Sequence, residues 1–200
     1  MRTMVAARKH DRSFARSETE IAGAIEHAGS DPQAVAFGVA EVTARDLRRA
    51  DRSGTALLSA ISALGFAAAQ AAAQTGGAMG CVAQGFLFGV MLASMTKERR
   101  LLAVIGHAAG TFVKHVHEAG GDAAAAGRGL VEGAVTWADE LDMGAGAAAD
   151  AAGRGAVEAA DDVDPELGRR VRAALERPIL GFQVHLIEPA EAALAERGAP

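Results

Sequence analysis

Thr75-Gly76-Gly77-Ala78-Met79-Gly80 sits in the middle of a stretch, bounded by Arg52 and Lys97, whose interior carries no charged residue. Before this turn Leu57, Ile61, Leu64 and Ala68 recur at helical spacing; after it Val82, Phe86, Leu87, Met91 and Leu92 do the same. Two uncharged, small-residue helices therefore meet at a glycine-rich bend. They suit either a buried helical pair or a hairpin of two membrane spans, since residues 56–74 and 77–95 each reach span length and Gly85 and Gly89 have the spacing of close-packed helices. Ser59, Ser62, Gln70 and Gln74 weaken the first half as a span, and no Trp or Tyr belt flanks either half. The buried pair is the favoured reading and membrane association the alternative.

Composition points the same way. The chain has 200 residues, enough for one domain with its own core. It is rich in alanine, has 24 glycines, one tryptophan and no tyrosine. Alanine loses no side-chain entropy in a helix and leaves little bulk between neighbours, whereas strands want branched and aromatic residues. The expected fold is all-α, an Ala/Gly-rich multi-helix bundle or helical barrel. A net charge of −5 without a basic tract backed by aromatics argues against nucleic acid as a partner. With one cysteine, Cys81, no intrachain disulfide forms, and no apolar run follows the basic start as in a signal peptide, so the expectation is cytoplasmic.

Working outward, Ser17-Glu18-Thr19-Glu20 reads as a capping box that starts a helix ending near His27, before Gly29. Ser30-Asp31-Pro32 starts the next, expected to end near Arg48 or Arg49, and Ser53 or Thr55 is expected to cap the helix after it. Gly106 and Gly110 interrupt a further apolar helix that begins near Leu101. Ala125-Ala126-Gly127-Arg128-Gly129-Leu130-Val131-Glu132 is echoed by Ala151-Ala152-Gly153-Arg154-Gly155-Ala156-Val157-Glu158, one device for close helix passage rather than a solenoid repeat. Asp164-Pro165 opens a helix reaching about Glu176. The apolar run 179–187 is either helix or peripheral strand, and Pro189 begins a terminal helix. This divides the chain into an N-terminal cap helix (1–30), a helical core (31–177) and a C-terminal extension (178–200).

Candidate chemistry is sparse. His107, His115 and His117 lack the spacing of a helical metal pair, and His185 in its apolar run reads as a core or interface residue. Cys81 lies near a helix start, which lowers a thiol pKa, but no histidine is close in sequence and burial is expected. The amides after the glycine turn, at Gly77, Ala78, Met79 and Gly80, form a candidate phosphate nest, with Gly54-Thr55 as a second donor group.

At these residues the chain resembles the Dak2-type domain, the nucleotide-binding half of dihydroxyacetone kinases. Asp51-Arg52-Ser53-Gly54-Thr55 looks like the tail of that family's Gly-Asp-Gly-Asp-x-Gly-Thr loop, which holds two Mg²⁺ ions. Gly76-Gly77-Ala78-Met79-Gly80 looks like its later Gly-Gly-Ala-Ser-Gly loop, with Met79 in place of serine. Leu130-Val131-Glu132-Gly133 corresponds to a Val-Glu-Gly segment of the fatty-acid-kinase branch. The resemblance extends over residues 31–177 and implies a helical barrel, an ATP and Mg²⁺ pocket built from Arg52, Ser53, Gly54, Thr55, Gly76, Gly77, Ala78 and Gly80, and Mg²⁺ on Asp46 or Asp51. Ala50 and Arg52 occupy the family's aspartate positions, which replaces a metal ligand by a cation. The expected function is a non-catalytic binding or assembly module with a vestigial phosphate pocket, joining a homo-oligomer or a protein partner; a Dak2-type phosphotransferase or a membrane hairpin is the alternative.

Overall fold

The computed structural model describes residues 2–94, 98–141 and 143–186. Eight α-helices occupy them: α1 (Arg2–Ala28), α2 (Pro32–Arg52), α3 (Leu57–Thr75), α4 (Met79–Ala93), α5 (Glu98–Glu118), α6 (Ala123–Ala138), α7 (Ala145–Val163) and α8 (Pro165–Leu175). The described residues hold no strand; an isolated bridge joins Ile179 and Phe182. The all-α bundle expected from composition is what forms.

Local chemistry sets several boundaries. Asp31 accepts from the amides of Gln33 and Ala34, and Pro32 opens α2 where its missing N–H costs nothing. Asp122 caps α6 through the amides of Ala124 and Ala125, and Asp164 caps α8 ahead of Pro165. Gly76 ends α3 at φ 64°, a left-handed conformation that glycine adopts without a Cβ penalty.

Other boundaries fall elsewhere than the local signals suggest. Helix α1 runs straight through Ser17, so no capping box forms: Ser17 is buried, and its hydroxyl donates to Asp46 Oδ2 at 2.7 Å. In a capping box this hydroxyl would accept from the Glu20 amide; here that amide lies inside the continuous α1, and the hydroxyl donates across to α2. Helix α2 extends to Arg52, and α3 starts at Leu57 with Ala56 at its N-cap and no side-chain cap, while Ser53 turns back to donate to the Ala50 carbonyl at 2.7 Å. Helix α5 continues through Gly106 and Gly110, both packed against α7. Over its described residues, 179–186, the apolar run after Pro178 is neither helix nor strand. It is a tight turn with Leu180 and Gly181 at positive φ, anchored by buried Ile179 and Val184. The terminal helix expected from Pro189 lies outside the described residues.

The helices stack in two layers, α1, α3, α5, α7 and α2, α4, α6, α8, with each helix packing on its layer neighbours and every consecutive pair packing across the layers. Among the described residues α1 and α2 share no face with α7 and α8, so the stack is open rather than closed into a barrel.

Three of the seams within the layers share one register. Gly85 lies on the carbonyl of Ala36, Gly129 on that of Gly80, and Gly155 on that of Gly106; each pair is 49 residues apart. The next contacts along two of these seams, Gly89 on Ala40 and Gly133 on Gln84, keep the same offset, so the paired helices run parallel. A Cβ at Gly85, Gly129 or Gly155 would overlap backbone of the neighbouring helix. Gly129 and Gly155 are the matching glycines of the two echoed octapeptides: each stands where its helix crosses a neighbour most closely. Between the layers, the fully buried rings of Phe86 and Phe112 stack with centroids 4.9 Å apart.

Of the two uncharged helices, α3 is long and apolar enough to cross a membrane, with half of its apolar window buried in the fold. Helix α4 has 15 residues, or about 22 Å of rise, short of the roughly 30 Å hydrocarbon core.

Candidate functional site

The two loops singled out in the sequence lie at opposite ends of α3, whose 19 residues span about 28 Å. No single phosphate group reaches both. Several of their amides are also engaged. At the α2–α3 turn the Ser53 amide donates to the carbonyls of Arg49 and Ala50, Gly54 to Asp51, and Thr55 to Ala50. At the α3–α4 turn the amides of Gly76 and Gly77 both donate to the Ala72 carbonyl. These are helix C-caps, and they leave Ala78, Met79 and Gly80 as the ordinary open first turn of α4. Arg52 is exposed at the end of α2, away from Gly76 and Gly77.

Asp46 and Asp51 do not fit a Mg²⁺ centre. Asp46 is buried; its Oδ2 accepts from Ser17, and its Oδ1 accepts from Arg45 Nε at 3.1 Å with Arg49 Nη1 at 3.6 Å. Asp51 is exposed, five residues further along α2. Among the described residues no three His, Cys, Asp or Glu side chains come together as a metal site. Asp46 ties α1 to α2. We expect Asp46→Ala to cost about 2 kcal/mol, the range for hydrogen bonds to a charged group, and by thermal melting to do so equally with and without Mg²⁺. A loss seen only with the metal would restore the ligand role.

Beside this tie, Arg16 and then Arg45 hold the Glu20 carboxyl below its ordinary pKa against the opposing effect of burial. Cys81 is partly buried, in line with the burial expected of it rather than with activation by the helix start. Burial, then the charge of Glu132, pushes its thiol pKa up, against the lowering that a helix start brings. His185 is exposed rather than buried in the core, with Nδ1 3.4 Å from Asp150 Oδ1.

Three surface features were not legible in the sequence. The first is a groove of about 550 Å³ over the α5–α7 seam, where Lys114 pairs with Asp162 at 3.2 Å and Arg154 and Glu158 line the wall. The second, also about 550 Å³, lies between α1, α3 and α5 and contains Ser59, Ser62, Phe66 and His115. There Ser62 Oγ is 3.3 Å from His115 Nε2, and His115 Nδ1 is 2.8 Å from Glu118 Oε2. His115 and Glu118 are one helical turn apart and could have been paired from the sequence; Ser62 is 53 residues away and could not.

The third is an aromatic cluster on the even-numbered layer. Phe88 and Trp137 stack at 3.7 Å between centroids, and Phe37 meets Trp137 edge-on at 5.3 Å. The 49-residue register puts Phe88 of α4 directly beside Trp137 of α6. Phe37 of α2 remains 52% exposed. The adjoining groove carries Glu41 and Arg48 on the same helix.

No protein-family model matches this chain, and no curated protein matches it significantly.

Proposed function

We propose that the chain is a helical assembly module that pairs with a second copy of itself through the exposed face of α2. The observation that carries this reading is the order of residues on that face. Phe37, Glu41, Arg45, Arg48 and Arg52 are all exposed, and their spacing of four, four, three and four places them within one narrow stripe of the helix.

That stripe is self-complementary. An antiparallel pairing about a twofold axis between Ala44 and Arg45 sets Glu41 opposite the partner's Arg48 and Phe37 opposite the partner's Arg52, each contact occurring twice. Guanidinium on an aromatic face and guanidinium on carboxylate are both favourable, and aromatic and Arg residues are the usual energetic centres of interfaces. Arg45, nearest the axis, is already neutralised by Glu20 and Asp46, so the two copies do not repel there. Phe88 and Trp137 form a stiff backing behind Phe37.

Sedimentation equilibrium tests this. The wild type is expected to show concentration-dependent dimerisation. Glu41→Arg is expected to weaken it by at least about tenfold through like-charge opposition, and the combined Glu41→Arg and Arg48→Glu variant to recover it. A monomer at every concentration, or no recovery in the combined variant, overturns the reading.

A further inference from the structure

The groove between α1, α3 and α5 holds an arrangement that assembly does not use. Glu118 Oε2 lies 2.8 Å from His115 Nδ1, a contact that keeps the ring proton on Nδ1. The lone pair of Nε2 is then directed at the Ser62 hydroxyl, 3.3 Å away. The ring is held from a third side by Phe66, edge-on with centroids 5.5 Å apart, and its side chain is only 18% exposed. Nucleophile, base and orienting carboxylate thus stand in the order that activates a serine, on one side of a groove large enough for a small molecule.

We infer that Ser62 is an acyl-accepting nucleophile for short, uncharged esters, with His115 as its general base and Glu118 as a positioning residue. The walls set the substrate class. Ala15, Ala63, Ala67 and Phe66 accommodate a short apolar acyl chain, while Glu18, held at the rim by Gln74 at 2.7 Å, disfavours an anionic one.

In the first step Ser62 Oγ bonds to the ester carbonyl carbon as its proton passes to His115 Nε2. The bond from that carbon to the alkoxy oxygen then breaks, and His115 returns the proton to the departing alcohol. In the second step His115 takes a proton from water as the water oxygen attacks the acyl carbon. The Ser62 ester bond breaks, the proton goes to Ser62 Oγ, and the carboxylic acid leaves. The amide of Ser62 is spent inside α3, so the Ser59 hydroxyl, which lines the same groove, is the available donor for the carbonyl oxygen. One side-chain donor in place of a paired backbone hole makes the reaction slow and favours activated esters.

The test uses the full chain with a fluorophosphonate probe, read by intact and peptide mass spectrometry, alongside release of nitrophenol from p-nitrophenyl butyrate. A single adduct on Ser62 is expected, absent in Ser62→Ala. Labelling is expected to fall by about 100-fold in His115→Gln, the scale of lost general-base assistance. In Glu118→Gln it is expected to fall measurably with partial recovery in Glu118→Asp, because a displaced tautomer lowers the rate without removing the base. Circular dichroism melts of each variant separate loss of reactivity from loss of fold. No adduct on the folded wild type, an adduct that persists in Ser62→Ala, or equal labelling of folded His115→Gln overturns the inference.

Discussion

Gly155→Ala is expected to lower the melting temperature by about 6–12 °C. The added Cβ would overlap the carbonyl of Gly106, and that obstacle is backbone, so no rotamer change relieves it. Helices α5 and α7 must separate, which also opens the neighbouring contact of Gly110 with Gly155. Overpacking of this kind costs about 3 kcal/mol, and in a domain of this size each kcal/mol is worth roughly 2–4 °C. The control is Gly168→Ala. There the added Cβ would meet chiefly the carboxylate of Asp161, a side chain that can swing away at the expense of its 3.0 Å pair with Arg172, which leaves a tight 3.1 Å approach to the Asp161 Cα. A partly exposed ion pair contributes at most about 1 kcal/mol, so this second variant should melt well above Gly155→Ala. Scanning calorimetry distinguishes the two. If Gly155→Ala melts within a degree of the parent, the seam is not the close crossing described here.

Phe112→Ala is expected to cost about 4 kcal/mol, or roughly 8–16 °C, the usual scale for truncating a buried aromatic side chain. Phe112 has no exposed surface, and its ring stacks on Phe86 from the opposite layer. Truncation removes this aromatic contact between α4 and α5 and leaves a cavity that main chain cannot fill. Phe37→Ala offers the opposite signature. Its ring is 52% exposed, so stability should change by less than about 1 kcal/mol while self-association weakens. A Phe112→Ala protein as stable as the parent in denaturant titration would mean that the layers are held together elsewhere.

How much was readable in advance depended on the range of the interaction. Asp31, Gly76 and Asp164 were legible because a cap is made within three or four residues of itself. Ser17 misled for the same reason: its pattern with Glu20 is a valid local cap, but α1 continues through it, and the hydroxyl donates to a buried carboxylate on α2. The phosphate nests are smaller than the sequence suggests, since the α3–α4 turn leaves only the amides of Ala78, Met79 and Gly80 open. Glycine-rich turns supply amides, yet here those of Ser53, Gly54, Thr55, Gly76 and Gly77 are spent closing α2 and α3. The echo around Gly129 and Gly155 was visible as a device for close passage, while the partner of each glycine was not.

The sequence by itself determined the helical class, several helix boundaries and the presence of faces small enough for close approach, since propensity, period and capping are properties of neighbouring residues. Only the tertiary structure decided the two open layers, the 49-residue register that stacks Phe88 on Trp137, and the meeting of Ser62 with His115. Many Ala/Gly faces along this chain are nearly interchangeable as surfaces. Which ones pair is settled by the summed packing of all eight helices, and no local window of sequence contains that sum.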